Sequence, residues 1–246
     1  MPYKMTWDMH THTTYSHGIG SIDDNVAVAR EKGLQLIGIT DHGPDHITYG
    51  VKKEKLPEMR EIVDSLNHQY DDIKVLLGVE ANIMNADGDL GLSEDDKKYL
   101  DYVIAGYHYG ALGHNAFKAG VHHGLNYLYK KTGKYTKALK KRNTRNAVNA
   151  ILNNEIRIIT HPGDKGPEDL LAIALACEKT GTYMELNSSH MSLSIKDIKL
   201  LKETKAMFCI SSDAHNPNRV GEFEPALEVA LEAGLSIDRI ANIIEV

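Results

Sequence analysis

Seven short apolar runs divide this 246-residue chain, and each has a histidine or an acid at its end or within two residues of it. The runs are MTWDMH, LQLIGIT, KVLLGVEA, YVIAGYH, IRIITH, TYMELN and AMFCISSD. Several are continuously apolar rather than alternating, the pattern of strands covered on both faces of a parallel sheet. The first leads into Asp8-x-His10-x-His12, and the last closes on Asp213-Ala214-His215. His42, Glu80, His108 and His161 mark the ends of runs between them. Residues at i, i+2 and i+4 of a strand share a face, so Asp8, His10 and His12 should converge on one spot. Imidazole and carboxylate are the ligand types of zinc and other first-row divalent metals. One HxH pair says little; a series at corresponding strand ends points to a site with several metals.

Helical patterns separate the runs. Ser21 to Gly33 opens with a Ser cap and early acids and ends at Gly. Leu56 to Tyr70 carries Pro57 near its first turn, and Leu92 to Leu100 opens with Ser93. Gly124 to Asn154 reads as two helices broken near Gly133. Pro167 to Gly181 has Pro at its start and Gly at its end. Ser194 to Lys205 begins with another Ser cap, and the tail reads as helical over Glu224 to Gly234 and Ser236 to Ile244. Strand–helix alternation allows a closed barrel or an open doubly wound sheet. An open sheet gathers its site at one switch point, whereas a barrel brings every strand end to one mouth. Polar residues at the ends of all seven strands favour a seven-stranded barrel, one domain over residues 1–246.

Composition narrows the function classes. No apolar stretch approaches the roughly 20 residues that span a bilayer, and the N-terminus has no signal-like apolar region. Cys177 and Cys209 read as buried thiols in a reducing cytoplasm. Net charge is −6, which leaves no overall nucleic-acid footprint. Tyr102 to Asn154 nevertheless holds nine Lys and Arg and no acid. That stretch is a solvated helix face, or a positive wall beside a site for an anionic substrate.

With TDHG at 40–43, GVEAN at 78–82, HPG at 161–163 and SDAH at 212–215, the opening DxHxH resembles the polymerase-and-histidinol-phosphatase (PHP) superfamily, and TDHGPD at 40–45 is most similar to its YcdX-like phosphatase branch. The resemblance implies a distorted (β/α)7 barrel with two or three divalent metals, zinc first, with manganese or iron as alternatives. It assigns His10, His12, Glu80 and Asp213 to one metal. Glu80 would bridge to a second, held also by His108 and His161, and His17, His42 and His215 would hold a third. His17 lies in a loop where relatives carry Asp, so the cluster is binuclear if it does not bind. Glu80, Asp213 and His215 would also serve catalysis directly. Asp8 is expected behind the ligands, as the hydrogen-bond partner of a bound imidazole. His46, His68, His114, His122, His123 and His190 read as bystanders, and Met and Trp7 as core fillers. Asn187, Ser188, Lys165 and Arg219 are candidate contacts for phosphate oxygens, and Arg suits bidentate capture.

The function this implies is a cytoplasmic metal-dependent phosphatase, a hydrolase acting on a small phosphomonoester through metal-activated hydroxide. Alternatives are an amidohydrolase-type C–N hydrolase, a phosphodiesterase or nuclease, and a non-catalytic PHP module. A membrane partner is not expected, nucleic acid is disfavoured, and the sequence leaves the oligomeric state open.

Overall fold

The computed structural model describes residues 2–110 and 116–246. Its centre is a seven-stranded, wholly parallel sheet. The strands are β2 (Trp7–Asp8), β3 (Leu36–Ile39), β4 (Lys74–Asn82), β5 (Tyr102–Gly106), β6 (Ile158–Ile159), β7 (Tyr183–Asn187) and β8 (Phe208–Ser211). Each pairs with its neighbours in sequence, in the order β2-β3-β4-β5-β6-β7-β8. The two edges approach just beyond the ends of β2 and β8, where Thr11 bridges Ala214 and His12 N–H donates to Ala214 O at 2.8 Å. The sheet is thus a nearly closed, distorted barrel, as the strand-end polar residues required.

Helices α1 (Ile22–Glu31), α2 (Leu56–Gln69), α3 (Glu94–Lys97), α4 (Ala116–Thr132), α5 (Lys137–Asn153), α6 (Leu170–Thr180), α7 (Ile195–Leu201) and α8 (Glu224–Glu232) alternate with the strands. Local chemistry sets their ends. Ser21, Ser93 and Ser194 each cap a helix and share a reciprocal capping box with an Asp three residues on, worth about 1 kcal/mol apiece. Asp169, not Pro167, caps α6, so that helix starts later than its proline suggests. The predicted break near Gly133 separates α4 from α5.

The core has two parts. The larger lies between barrel and helices and includes Val26, Ile37, Val63, Leu77, Val79, Ile173 and Leu227. The smaller comprises Met9, Ile104, Ile158 and Cys209, ringed by Trp7, Leu36, Leu76, Tyr102 and Tyr183. Strand alternation puts Leu76 and Glu80 on one face of β4, so this apolar plug shares the inner face with the acid. Cys177 and Cys209 are both buried free thiols.

The tail departs from its expectation. Ser236 to Ile244 is not a helix: it holds one 3-10 turn, Ile237–Arg239, and then β9 (Ile243–Glu245). β9 pairs antiparallel with β1 (Tyr3–Met5), so the first run MTWDMH is split between two sheets. Asn242 fastens this junction. Its side chain donates to Trp7 O and Ile210 O, both at 2.7 Å, and accepts from Ile210 N–H at 2.9 Å.

Candidate metal centre and active site

The polar strand ends meet at one mouth, and Glu80 is their centre. It lies near the C-terminal end of β4, after the apolar stretch Val75–Val79, and is 1% exposed. Its Oε1 lies 3.0 Å from His161 Nε2, 3.1 Å from His108 Nε2 and 3.4 Å from His10 Nε2. Its Oε2 lies 3.0 Å from His42 Nδ1 and 3.7 Å from His12 Nε2. Asp213 Oδ1 completes the far side, 3.2 Å from His12 Nε2 and 3.5 Å from both His10 Nε2 and His215 Nδ1. Three groups have ligand atoms mutually within 4.8 Å: His10, His12 and Asp213; His42, Glu80 and His108; and His12, His17, His42 and His215. His17 is therefore drawn in from its loop, with its ring centroid 4.2 Å from that of His215.

The electrostatics fit a cation-binding centre. Burial disfavours ionised Glu80 and Asp213, but neighbouring imidazoles outweigh it and hold both well below the usual carboxylate range. Burial also disfavours charged His10, but Asp213, Glu185 and Glu80 outweigh it and push it up. Burial dominates at His12, which is held down, and at His108, pushed down to about 3. Imidazole nitrogens face one another at 3.2 Å in His10–His12 and in His108–His161. Nδ1 of His12, His17 and His42 is buried without a hydrogen-bond partner, that of His42 lying near Glu80 but out of line. An orphaned buried polar atom costs about 1–3 kcal/mol. Divalent cations among these donors would relieve the crowding, and the imidazole–carboxylate set suits zinc, manganese or iron.

The supporting residues differ from those the sequence singled out. Asp8 does not meet an imidazole. Its carboxylate accepts backbone N–H from Gly221 at 2.9 Å and from His10 and Ser212 at 3.3 Å, tying β2 to the SDAH turn. Glu185 takes the role expected of Asp8: Oε1 sits 2.6 Å from His10 Nδ1, and Oε2 accepts from His161 N–H at 2.6 Å. A lone acid within the apolar run TYMELN was the available signal, since an acid is almost never fully buried unless paired. Asn82 similarly holds His108 Nδ1 at 2.9 Å. Asp41 accepts from Thr13 N–H, Thr13 Oγ1 and Ser16 Oγ, which secures the turn leading to His17.

Two backbone features serve the same centre. His161 and Asp213 have φ of 28° and 51°, a region rare for side-chain-bearing residues, and His161 also precedes a proline. Such conformations cost about 1–3 kcal/mol and cluster at functional sites. Gly106 gives the rings space, because a Cβ there would meet Thr160 Oγ1 at 2.2 Å and His161 Cε1 at 3.1 Å.

Above the centre opens a cavity of about 180 Å³, walled by His46, Tyr49, Tyr109, Lys165 and His190. His46 and His190 thus belong to the cavity, contrary to their reading as bystanders. His122 and His123 stay on α4, bonded to Asn126 and Tyr107, and His68 is exposed on α2. His114 lies outside the described residues. Of the candidate substrate contacts, Lys165 reaches the cavity, with Nζ 2.5 Å from Asp164. Asn187 is committed to protein, donating to Glu185 and Asp213 and accepting from Ser189 and His190 N–H. Ser188 is buried with an unpartnered hydroxyl. Arg219 departs from its expectation: it pairs with Glu222 at 2.6 Å and lines a separate surface cleft with Tyr3 and Lys32.

Residues 8–189 match the PHP domain family. A protein of Thermoanaerobacter sp. strain X514 named a probable phosphatase is 33% identical, over 97% of this chain and 91% of its own length. A Shewanella frigidimarina protein of the same name is 31% identical, over 97% and 89%. Among solved structures, a Listeria monocytogenes protein superposes with a TM-score of 0.64 at 15% identity, over 88% of this chain and 97% of its own. The histidinol phosphate phosphatase of Lactococcus lactis, solved with zinc, L-histidinol and phosphate, gives 0.58 at 15% identity, over 94% and 95%. At that identity these two structures speak for the fold.

Proposed function

The chain belongs to the PHP domain family, and from that premise we propose that it is a metal-dependent phosphatase that hydrolyses small phosphomonoesters with a cluster of two or three divalent metals. The observation that carries the proposal is Glu80. One buried carboxylate faces His10, His108 and His161 with one oxygen and His42 and His12 with the other. A carboxylate shared in this way suits adjacent cations, because its charge offsets their repulsion. The relatives named probable phosphatases support the reaction class, and the Lactococcus lactis protein, solved with zinc and phosphate, supports zinc and a small phosphorylated substrate.

His10, His12, Glu80 and Asp213 would hold one metal; Glu80, His108 and His161 a second; and His17, His42 and His215 a third. Bound there, the metals would supply a Lewis acid for a phosphoryl oxygen and acidify a water. The chain's own residues do the rest. Glu185 and Asn82 fix the orientations of His10 and His108 from behind. Asn187 holds the free oxygen of Asp213 at 3.0 Å. Lys165 stands at the cavity wall, where its ammonium meets an anionic substrate. The small cavity suits a phosphoryl group with its leaving group directed outwards.

A substrate panel tests the reading. Protein reconstituted separately with zinc, manganese and iron should hydrolyse small phosphomonoesters faster than phosphodiesters or cyclic amides. Preference for the diester or the amide under every metal would replace this reading with a nuclease or an amidohydrolase.

A further inference from the structure

His46 lies at the cavity, yet it belongs to none of the three ligand groups. It closes the turn after TDHG, donating its N–H to Gly43 O at 3.0 Å and accepting from Gly50 N–H at 2.8 Å. Within that turn Tyr49 N–H donates to His46 Nδ1 at 3.1 Å, with Thr48 Oγ1 3.4 Å away. A backbone N–H can only donate. Nδ1 must therefore carry its lone pair, and the proton of the neutral ring sits on Nε2. Among the described residues Nε2 has no hydrogen-bond acceptor.

The ring is also fixed in place. It stacks on His42, centroid to centroid 4.9 Å with 21° between planes. Gly110, at φ 116°, leaves its near side open: a Cβ there would lie 3.2 Å from His46 Cε1 and 3.4 Å from Nε2. Two other cavity residues already have acidic neighbours. Lys165 meets Asp164, and His190 Nε2 is 3.7 Å from Asp213. His46 differs in presenting an oriented donor that, among the described residues, has no carboxylate within ion-pair distance.

We propose that His46 Nε2–H donates a hydrogen bond to a phosphoryl oxygen of the substrate, making it a substrate-binding residue that holds no metal. The proposal rests on the phosphatase reading for the identity of its ligand, and phosphate itself tests it separately. A donor held by its own turn needs little reordering when the anion arrives.

Two amide substitutions separate the ring nitrogens. His46→Gln carries an amide N–H to the place of Nε2, whereas His46→Asn places its amide near Nδ1. The full-length, metal-reconstituted protein is titrated with inorganic phosphate by calorimetry, and metal content, thermal midpoint, KM and kcat are measured alongside. The expected result is that His46→Asn weakens phosphate binding about tenfold and raises KM similarly, the loss of one hydrogen bond to a charged group. His46→Gln should restore binding towards wild type, with metal content unchanged in both. The reverse order would overturn the proposal and make His46 a fastener of its turn, held through Tyr49 N–H. Equal phosphate affinity in wild type and both variants overturns it, as does loss of metal in step with loss of phosphate binding. Wild-type protein that binds no phosphate overturns it too. Phosphate binding that depends on His46 in a protein that hydrolyses no phosphomonoester would uphold the inference and defeat the phosphatase reading.

Discussion

Single buried acids organise the histidines at this mouth, and Glu185 shows how. It reaches His10 with one oxygen and the His161 backbone with the other. Partners of this kind fix ring tautomer and raise ligand basicity, and their loss weakens metal affinity about 10–100-fold. Glu185→Gln should lower affinity in that range in a competitive zinc titration while the far-ultraviolet spectrum stays native; unchanged affinity would leave Glu185 a structural acid only. His10→Ala should nearly abolish turnover and His68→Ala should leave it close to wild type, since His68 stands on an exposed helix face and bonds to Asp64 O. Equal losses would erase the distinction between ligand and bystander histidines. Glu168 offers a pH signature. Burial pushes its carboxyl up to about 7, against the N–H it accepts from Gly163. The unfolded chain releases that proton near pH 4.5 and the folded chain only near 7, so stability falls as pH rises between them. Glu168→Gln should remove this slope from unfolding midpoints measured between pH 4.5 and 7, and a slope unchanged would assign it to other groups. The candidate ligands other than His17 were legible because they stand at or just past the ends of apolar runs. Asp41 was not, because an acid beside His42 looks incidental until its hydrogen bonds are seen, and Glu185 had only its place inside the apolar run TYMELN to mark it. The positive φ of His161 and Asp213 leaves no trace in the residue types at all.

Elements show the same division between local and distant information. Helices with Ser caps and strands with continuous apolar runs were readable because neighbouring residues determine them. The C-terminal Ser236 to Ile244 was misread because a short apolar run carries no decisive period. Its partner β1 lies at the other end of the chain. Asn242 secures this joint with three side-chain hydrogen bonds, two buried ones to Ile210 and a partly buried one to Trp7. At about 1 kcal/mol each, with backbone partners left buried and unpaired, Asn242→Ala should cost about 2–4 kcal/mol in denaturant unfolding. Metal content should not change, because the hydrogen bonds of the Asn242 side chain go to Trp7 and Ile210 and to no candidate ligand. A cost under 0.5 kcal/mol would mean that the two terminal strands hold each other without it.

At the scale of the whole molecule, the barrel was predictable because polar residues at seven strand ends fit one mouth better than one switch point. The substrate was not legible, because its walls come from His46, Tyr49, Tyr109, Lys165 and His190, scattered over several loops. The acid-free stretch includes α4 and α5, with Lys137, Lys141 and Arg145 exposed along one row of α5. If this field steers anionic substrates, reversing those three to Glu should raise KM and reduce its dependence on salt over the range where the Debye length shrinks from about 30 to 10 Å. Wild-type KM at every ionic strength would make the row a solvated face. The central claim, however, is that one carboxylate joins a cluster of metals, and metal stoichiometry tests it most directly. Elemental analysis of zinc-reconstituted, dialysed protein should give two or three metals per chain, with fewer in Glu80→Gln at a native thermal midpoint. A single metal in the wild type, or the same count in both proteins, would contradict it.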